Sequence, residues 1–364
     1  MKPFKLEQYF SEFEFTAKYL LSSSDCEPLG LNEVLQMADE ECLDLWNNLK
    51  LAYNETQGLP VLRKEIATLY KDIQDSQVMV VTPEEGIYLS MTTLLNKNDE
   101  VICTFPGYQS LYEIAESKVC HVKYWKPDRD NVFQTIDLEN LLSDNTRMVV
   151  FNFPHNPTGA YPSQEDYNKI IQLCEERNIL IFSDEMYRGL EYNSESKLPS
   201  IADVYSNSIV LSGMSKTYSL PGLRLGWLVI QDPDIYKKIE DYKHYTTICP
   251  PAPSEILALI AIRNKDLIIK NNLETIHKNI GLMEEFAEEF QDIIRWIPPK
   301  AGSIAFPELL LDKDIEKFCR CLVDKTGVML LPGSVYDYPG RYFRIGLGRK
   351  GFGRGLEKFS RFLK

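Results

Sequence analysis

The chain is poor in the residues that hold metals. Among 364 residues there are four histidines, His121, His155, His244 and His277, and no H-E-x-x-H string. The eight cysteines are scattered. Only Cys319 and Cys321 lie close together, as C-x-C, and no C-x-x-C pair occurs. Neither a metal centre nor a disulfide framework is expected, and the thiols read as reduced. Long apolar runs are missing too: the longest, Ile256 to Ile262, falls far short of a membrane span. Positive charge is in deficit, with 40 Lys and Arg against 53 Asp and Glu and a net charge of −13, which argues against a nucleic-acid partner. Residues 1–15 alternate aromatics with charges where a secretory leader runs basic and then apolar, so a cytoplasmic protein is expected. Internal repeats and low-complexity segments are not seen.

What is present is a long chain of ordinary globular composition, 44 % apolar and 26 % charged, enough for a large core and more than one lobe. Residues 1–21 read as a helical arm, and an amphipathic helix is expected from about Asn32 to Leu49. From Gln77 short apolar runs alternate with helical segments. Runs such as VMVV, VICTF, MVVFNF, ILIFS and SIVLSG predict buried strands, and the segments between them predict covering helices. This alternation points to an α/β protein with a mostly parallel, doubly wound sheet. WLVI after Gly226 reads as a last, antiparallel strand. The prolines of CPPAPSE break the pattern. After them come a helical region over about Ser254 to Phe290 and a smaller α+β lobe. The expected division is 30–250 for a large domain, with 1–29 and 251–364 forming a small one.

One stretch gathers the chemistry. Val210 to Ile230, VLSGMSKTYSLPGLRLGWLVI, opens and closes as buried strand, with Lys216 and Arg224 in the loop between. A desolvated lysine loses its proton more easily and becomes an amine nucleophile suited to a carbonyl. In parallel sheets ligands bind beyond the carboxyl ends of the strands, and polar residues fall at those ends. Asn156 stands in P-H-N-P-T-G after MVVFNF, Asp184 and Tyr187 follow ILIFS, and Lys216 follows SIVLSG. Taken singly, each has a plain reading as turn, cap or packing residue. Gly346 to Gly351 satisfies G-x-G-x-x-G, but thirteen residues follow it and no βαβ unit is expected there, so a dinucleotide site is not expected.

The string Ser212, Ser215, Lys216, Tyr218, Pro221, Gly222, Leu223, Arg224, Gly226, Trp227 resembles the cofactor-lysine signature of class I/II aminotransferases. These are pyridoxal-phosphate enzymes of fold type I, and matching motifs run in family order from about Ser22 to Arg344. The resemblance implies that Lys216 forms a Schiff base with pyridoxal 5′-phosphate. It implies that Asp184 faces the ring nitrogen, that Asn156 and Tyr187 face the ring oxygen and that Tyr108 stacks on the ring. Arg224, with Ser212 and Ser215, is implied for the phosphate. So are the amides of Glu84 and Glu85, which stand where the family's glycine-rich turn reads T-P-E-E-G; the family's usual hydroxyl is replaced by Gly213. Tyr53 is implied to reach the phosphate of a neighbouring subunit, hence a homodimer with shared sites. Arg344 is implied to hold the substrate α-carboxylate, under a closing turn at Asp25 to Pro28 that includes Cys26.

The activity this implies is amino-group transfer between an amino acid and a 2-oxo acid. Two rivals stand beside it. One keeps the cofactor but runs a β-eliminating or cyclising reaction, since MSKTYSLPGLRLGW, TPEEGIYLSM and AGSIAFPEL also resemble the capreomycidine-synthase-like branch. The other is a non-catalytic regulatory module on the same fold.

Overall fold

The structure, a computed structural model, describes residues 1–364, the side chain of Ser194 excepted. Its centre is a seven-stranded sheet. The strands are β1 (Val78–Val81), β2 (Glu100–Thr104), β3 (His121–Trp125), β4 (Thr146–Asn152), β5 (Leu180–Asp184), β6 (Ser208–Gly213) and β7 (Gly226–Ile230). Their order is β1-β7-β6-β5-β4-β2-β3. Only β7 runs against its neighbours, antiparallel to both β1 and β6, as its place in the chain suggested. Every residue of β1, β2, β5, β6 and β7 is buried, which is why these strands read as unbroken apolar runs. β3, at the edge, is largely half-exposed and carries His121 and Lys123. The order reverses between β2 and β4, so a crevice opens at the carboxyl ends of the central strands.

Three helical expectations change. The N-terminal arm is a helix, α1 (Lys5–Phe13), but Tyr19–Leu20 form a short strand parallel to Val328–Met329. The expected helix over Asn32 to Leu49 is two helices, Leu31–Gln36 and Glu40–Asn47. The Asp39 carboxylate accepts from the Cys42 amide at 2.8 Å and starts the second one, a cap that apolar periodicity does not reveal. The region after the prolines is also divided, into Ala252–Arg263 and Lys265–Glu289. Asn264 stands at the break and donates to the Met37 and Ile260 carbonyls.

Two apolar clusters cover the two faces of the sheet, and a third draws on both chain ends, joining Leu6 and Leu21 to Phe318, Phe343 and Phe359. Ile256 to Ile262 and Ile268 pack under the sheet, whereas Ile276, Met283 and Phe286 belong to the third cluster. We propose that the division between the lobes follows these cores and passes along the helix Lys265–Glu289 rather than at residue 250.

The join between β6, β7 and the helix α2 (Pro83–Leu94) depends on two glycines. A Cβ on Gly226 would lie 2.5 Å from the Ser212 carbonyl oxygen and 2.8 Å from Pro83 Cγ, and one on Gly213 would lie 2.9 Å from Gly226 Cα. Gly213 and Pro83, two departures from the family pattern, therefore meet in space: the proline ring packs where a side chain at 213 would stand. Gly226→Ala is expected to destabilise the protein by about 1–3 kcal/mol through overpacking. A thermal melt tests this, and an unchanged midpoint would contradict the packing described.

Candidate active site

A cavity of about 350 Å³ lies at the carboxyl ends of β4, β5 and β6. Asn152 ends β4, and its side chain donates to the Asp184 carbonyl at 2.9 Å and accepts from the Asn156 amide at 2.8 Å. It thereby ties two strand ends together and sets the turn that carries Asn156. Asp184 ends β5 and is 6 % exposed. The Met186 amide donates to it at 3.0 Å, yet burial dominates and pushes its carboxyl up to about 7. Tyr187, one turn on, is buried and its hydroxyl has no hydrogen-bond partner among the described residues. Burial raises its pKa, with the Arg344 charge opposing.

Lys216 lies just past β6. Its Nζ donates to Ser24 Oγ at 2.8 Å. Burial lowers its pKa most; Asp25 and Asp184 oppose this, and Arg344 adds to it. Ser215 and Arg224 line the same cavity beside Pro83 and Glu84 at the start of α2. The first-turn amides of a helix have no intrahelical acceptor and favour an anion. Glu84 also lines the cavity, with its carboxylate bonded to the Ser110 hydroxyl and its pKa raised by burial. The Glu85 carboxylate turns away and takes bonds from Thr247, the hydroxyl at 2.8 Å and the amide at 3.2 Å. The acidic turn thus sets one carboxylate, not two, beside the cavity.

Arg344 is 1 % exposed and has no ion-pair partner among the described residues. It is held instead by neutral groups. Its Nε and one terminal nitrogen donate to the Ser22 carbonyl at 3.1 and 2.8 Å. The other donates to the Tyr336 hydroxyl at 2.8 Å and to Asn156 Oδ1 at 3.2 Å. The Phe10 ring lies over the guanidinium, 5.6 Å from its centroid. A buried cation held only by neutral acceptors is suited to an anionic ligand.

The glycines that mimicked a dinucleotide motif have a packing task here. A Cβ on Gly346 would lie 1.7 Å from the Ser23 carbonyl oxygen, and one on Gly348 would lie 2.7 Å from that of Asp25. They let the N-terminal turn settle against the strand Phe343–Gly346, and so place Ser24 and Asp25 at the cavity.

Of the residues singled out from sequence, Lys216, Asp184, Tyr187, Asn156, Arg224, Tyr108, Ser215, Glu84 and Arg344 share this wall. Four do not. Cys26 is fully buried in the third apolar cluster, and at that turn Ser23, Ser24 and Asp25 form the wall instead. Ser212 Oγ donates to the Glu185 carbonyl at 3.4 Å. The Glu85 carboxylate binds Thr246 and Thr247, while its amide, the group expected to meet the phosphate, belongs to the first turn of α2. Tyr53 is 85 % exposed, away from the cavity. Sequence reading missed Asn152, Ser24 and the face of α1 carrying Glu7 and Phe10, continued by Glu14 just past the helix end. The last had a signal, since 7, 10 and 14 recur at helical spacing.

The donor set fits pyridoxal phosphate. It combines an unpartnered buried hydroxyl, a buried carboxylate, a lysine of lowered pKa and a helix N-terminus beside an arginine. A fold type I enzyme is thereby defined. The chain belongs to the class I and II aminotransferase family, whose family model, "Aminotransferase class I and II", matches residues 18–350. Its cofactor is pyridoxal phosphate.

Two curated relatives illustrate the range. Capreomycidine synthase of Streptomyces vinaceus is 28 % identical over 362 residues, 98 % of this chain and 92 % of that one. Aspartate aminotransferase of Sulfolobus acidocaldarius is 30 % identical over 305 residues, 78 % and 74 % of the two chains. Among solved structures, a PLP-dependent aminotransferase from Streptococcus suis 89-1591 superposes with a TM-score of 0.93 at 28 % identity, covering 100 % of this chain and 97 % of that one. The PLP-dependent cyclase OrfR does so at 0.92 and 25 %, with the same coverage.

Proposed function

We propose that this enzyme moves an amino group between an amino acid and a 2-oxo acid. The observation that carries this reading is the pairing, in one cavity, of Lys216 with a buried arginine that no carboxylate neutralises. Pyridoxal phosphate, when bound, supplies an aldehyde for the amino group and a ring that accepts the electrons of the substrate Cα–H bond. The chain's own groups do the rest. Lys216 would hold the aldehyde, and its amine, when free in this desolvated site, would be a base. Its Nζ would take the proton from the substrate Cα as general base and return it as general acid. Asp184 would keep the ring nitrogen protonated. Tyr187 and Asn156 would donate to the ring oxygen. Ser215, Arg224 and the first turn of α2 would take the phosphate. Arg344 would grip the α-carboxylate and fix which bond at Cα faces Lys216.

A homodimer belongs to this reading. Leu51, Tyr53 and Tyr245 stand almost fully exposed, and a second copy covering them would bring Tyr53 to a neighbouring site. A cytoplasmic setting is supported by eight unpaired cysteines, and no helix among the described residues is long and apolar enough to cross a membrane.

A second reading, elimination or cyclisation on the same cofactor, is favoured by the likeness to capreomycidine synthase along 98 % of the chain. Absorbance separates the two. Transamination predicts that the band of the lysine-bound cofactor bleaches with an amino acid and returns with a 2-oxo acid. A band that persists while pyruvate and ammonia or a cyclic product accumulate would overturn it.

A further inference from the structure

Lys243 ends the helix Pro233–Lys243 and is fully buried, yet the proposed reaction gives it no task. Its Nζ donates to Thr247 Oγ1 at 2.9 Å and to no other acceptor among the described residues. Burial lowers its pKa most, and Glu85, Cys249 and Glu255 oppose this. A buried ammonium held by one neutral hydroxyl costs stability rather than adding to it.

The Thr247 hydroxyl that accepts from Lys243 donates in turn to Glu85 Oε1 at 2.8 Å. The Thr247 amide, at 3.2 Å, and the Thr246 hydroxyl donate to the same oxygen. The other Glu85 oxygen accepts from the Thr82 amide at 3.4 Å, just ahead of the first turn of α2. The Thr82 hydroxyl donates to the Arg224 carbonyl at 3.0 Å. Arg224 has a φ of 49°, in the left-handed region that a residue other than glycine adopts at a cost, and this bond helps to hold it there. A continuous chain of contacts thus passes from Lys243 behind the turn T-P-E-E-G to the backbone of Arg224. Thr82, Glu85, Lys243 and Thr247 all stand outside the cavity wall, whereas Pro83, Glu84 and Arg224 belong to it.

The charge of Glu85 gives this chain its purpose. A carboxylate in the first turn of a helix that is to take a phosphate repels the phosphate. Thr246 and Thr247 draw the carboxylate aside, and Lys243 brings a cation to it through the Thr247 hydroxyl. We propose that Lys243 and Glu85 are positioning residues for the cofactor phosphate, fixing the first turn of α2 and the backbone of Arg224 through Thr247 and Thr82. This rests on the assignment of that turn and of Arg224 to the phosphate in the proposed function.

The test titrates the cofactor-free protein with pyridoxal phosphate and with pyridoxal, which lacks the phosphate, following the absorbance of the lysine-bound cofactor. The wild type is expected to prefer the phosphate ester by about a hundredfold or more. Lys243→Met should lower that preference about tenfold and Thr247→Val about threefold, with the affinity for pyridoxal unmoved. Thr247→Ser keeps the hydroxyl and should bind both ligands as the wild type does. In the double variant Lys243→Met/Glu85→Gln the uncompensated charge is gone while the side-chain oxygen still accepts from Thr247, and most of the preference should return. Should Lys243→Met not fold, Thr247→Val decides alone. A preference unmoved in these variants, both ligands weakened alike, or a double variant that falls below Lys243→Met overturns the proposal and leaves the phosphate assignment standing. A wild type that binds pyridoxal as tightly as its phosphate overturns that assignment and this proposal with it.

Discussion

Lys216→Ala is expected to abolish turnover, by about 10⁴-fold or more, because in the proposed reaction one atom, Nζ, both holds the cofactor and moves the Cα proton. Lys216→Arg is expected to fail as badly. A guanidinium keeps its proton throughout the physiological range and can act neither as nucleophile nor as base. The two variants together separate charge from chemistry. If Lys216 served only as a positive charge for Asp25 or Asp184, arginine would restore function. Without cofactor, Lys216→Ala should not melt below the wild type, because Lys216 pays for its position with a pKa lowered by burial, whereas Lys216→Arg keeps a buried charge there and should melt lower. Steady-state rates and thermal melts of the cofactor-loaded and cofactor-free proteins check both statements. Activity of Lys216→Arg within tenfold of wild type would remove Lys216 from the chemistry.

Asp184→Asn is expected to act in opposite directions on stability and on function. In the cofactor-free protein the Asp184 carboxyl is raised to about 7 from an ordinary value of 3.8. Between those values the folded state binds a proton that the unfolded state releases. Stability present below pH about 4 is therefore lost as pH rises to about 7, a cost on the order of 4 kcal/mol. Asparagine resembles the protonated acid and does not incur it. The cofactor-free variant should accordingly melt above wild type at pH 8, with the gap closing toward pH 4. With cofactor the order should reverse, because in the proposed arrangement the ring nitrogen loses its counter-charge, and turnover should fall by about 10²-fold or more. A variant that melts with wild type at every pH would show that Asp184 is not held desolvated. One that keeps full activity would show that it does not face the ring.

The parts of this molecule legible in its sequence share a property: each is local or repeats a strict pattern. The strands are buried on both faces and read as plain apolar runs. Lys216, Asp184 and Asn156 stand at strand ends because the topology opens its crevice there, and a motif read along the chain finds them directly. What sequence reading missed depends on contacts between distant segments. Ser24 meets Lys216 only because Gly346 and Gly348 let the N-terminal turn press against a strand more than three hundred residues away in the chain. Glu85 sits beside Glu84 in sequence, but its carboxylate is drawn to Thr246 and Thr247, so neighbouring acids have different surroundings. Cys26 and Asp25 part in the same way, one entering an apolar core and the other the cavity wall. The break at Asp39 arises from one side-chain oxygen capping three residues ahead, a signal weaker than the periodicity that runs across it.

The most direct test of the central claim is to reduce the cofactor-loaded protein with borohydride, digest it and locate the pyridoxyl group by mass. The structure predicts one adduct per chain, on Lys216. An adduct on another lysine, or none in a protein that retains its cofactor absorbance, would contradict the account of the site.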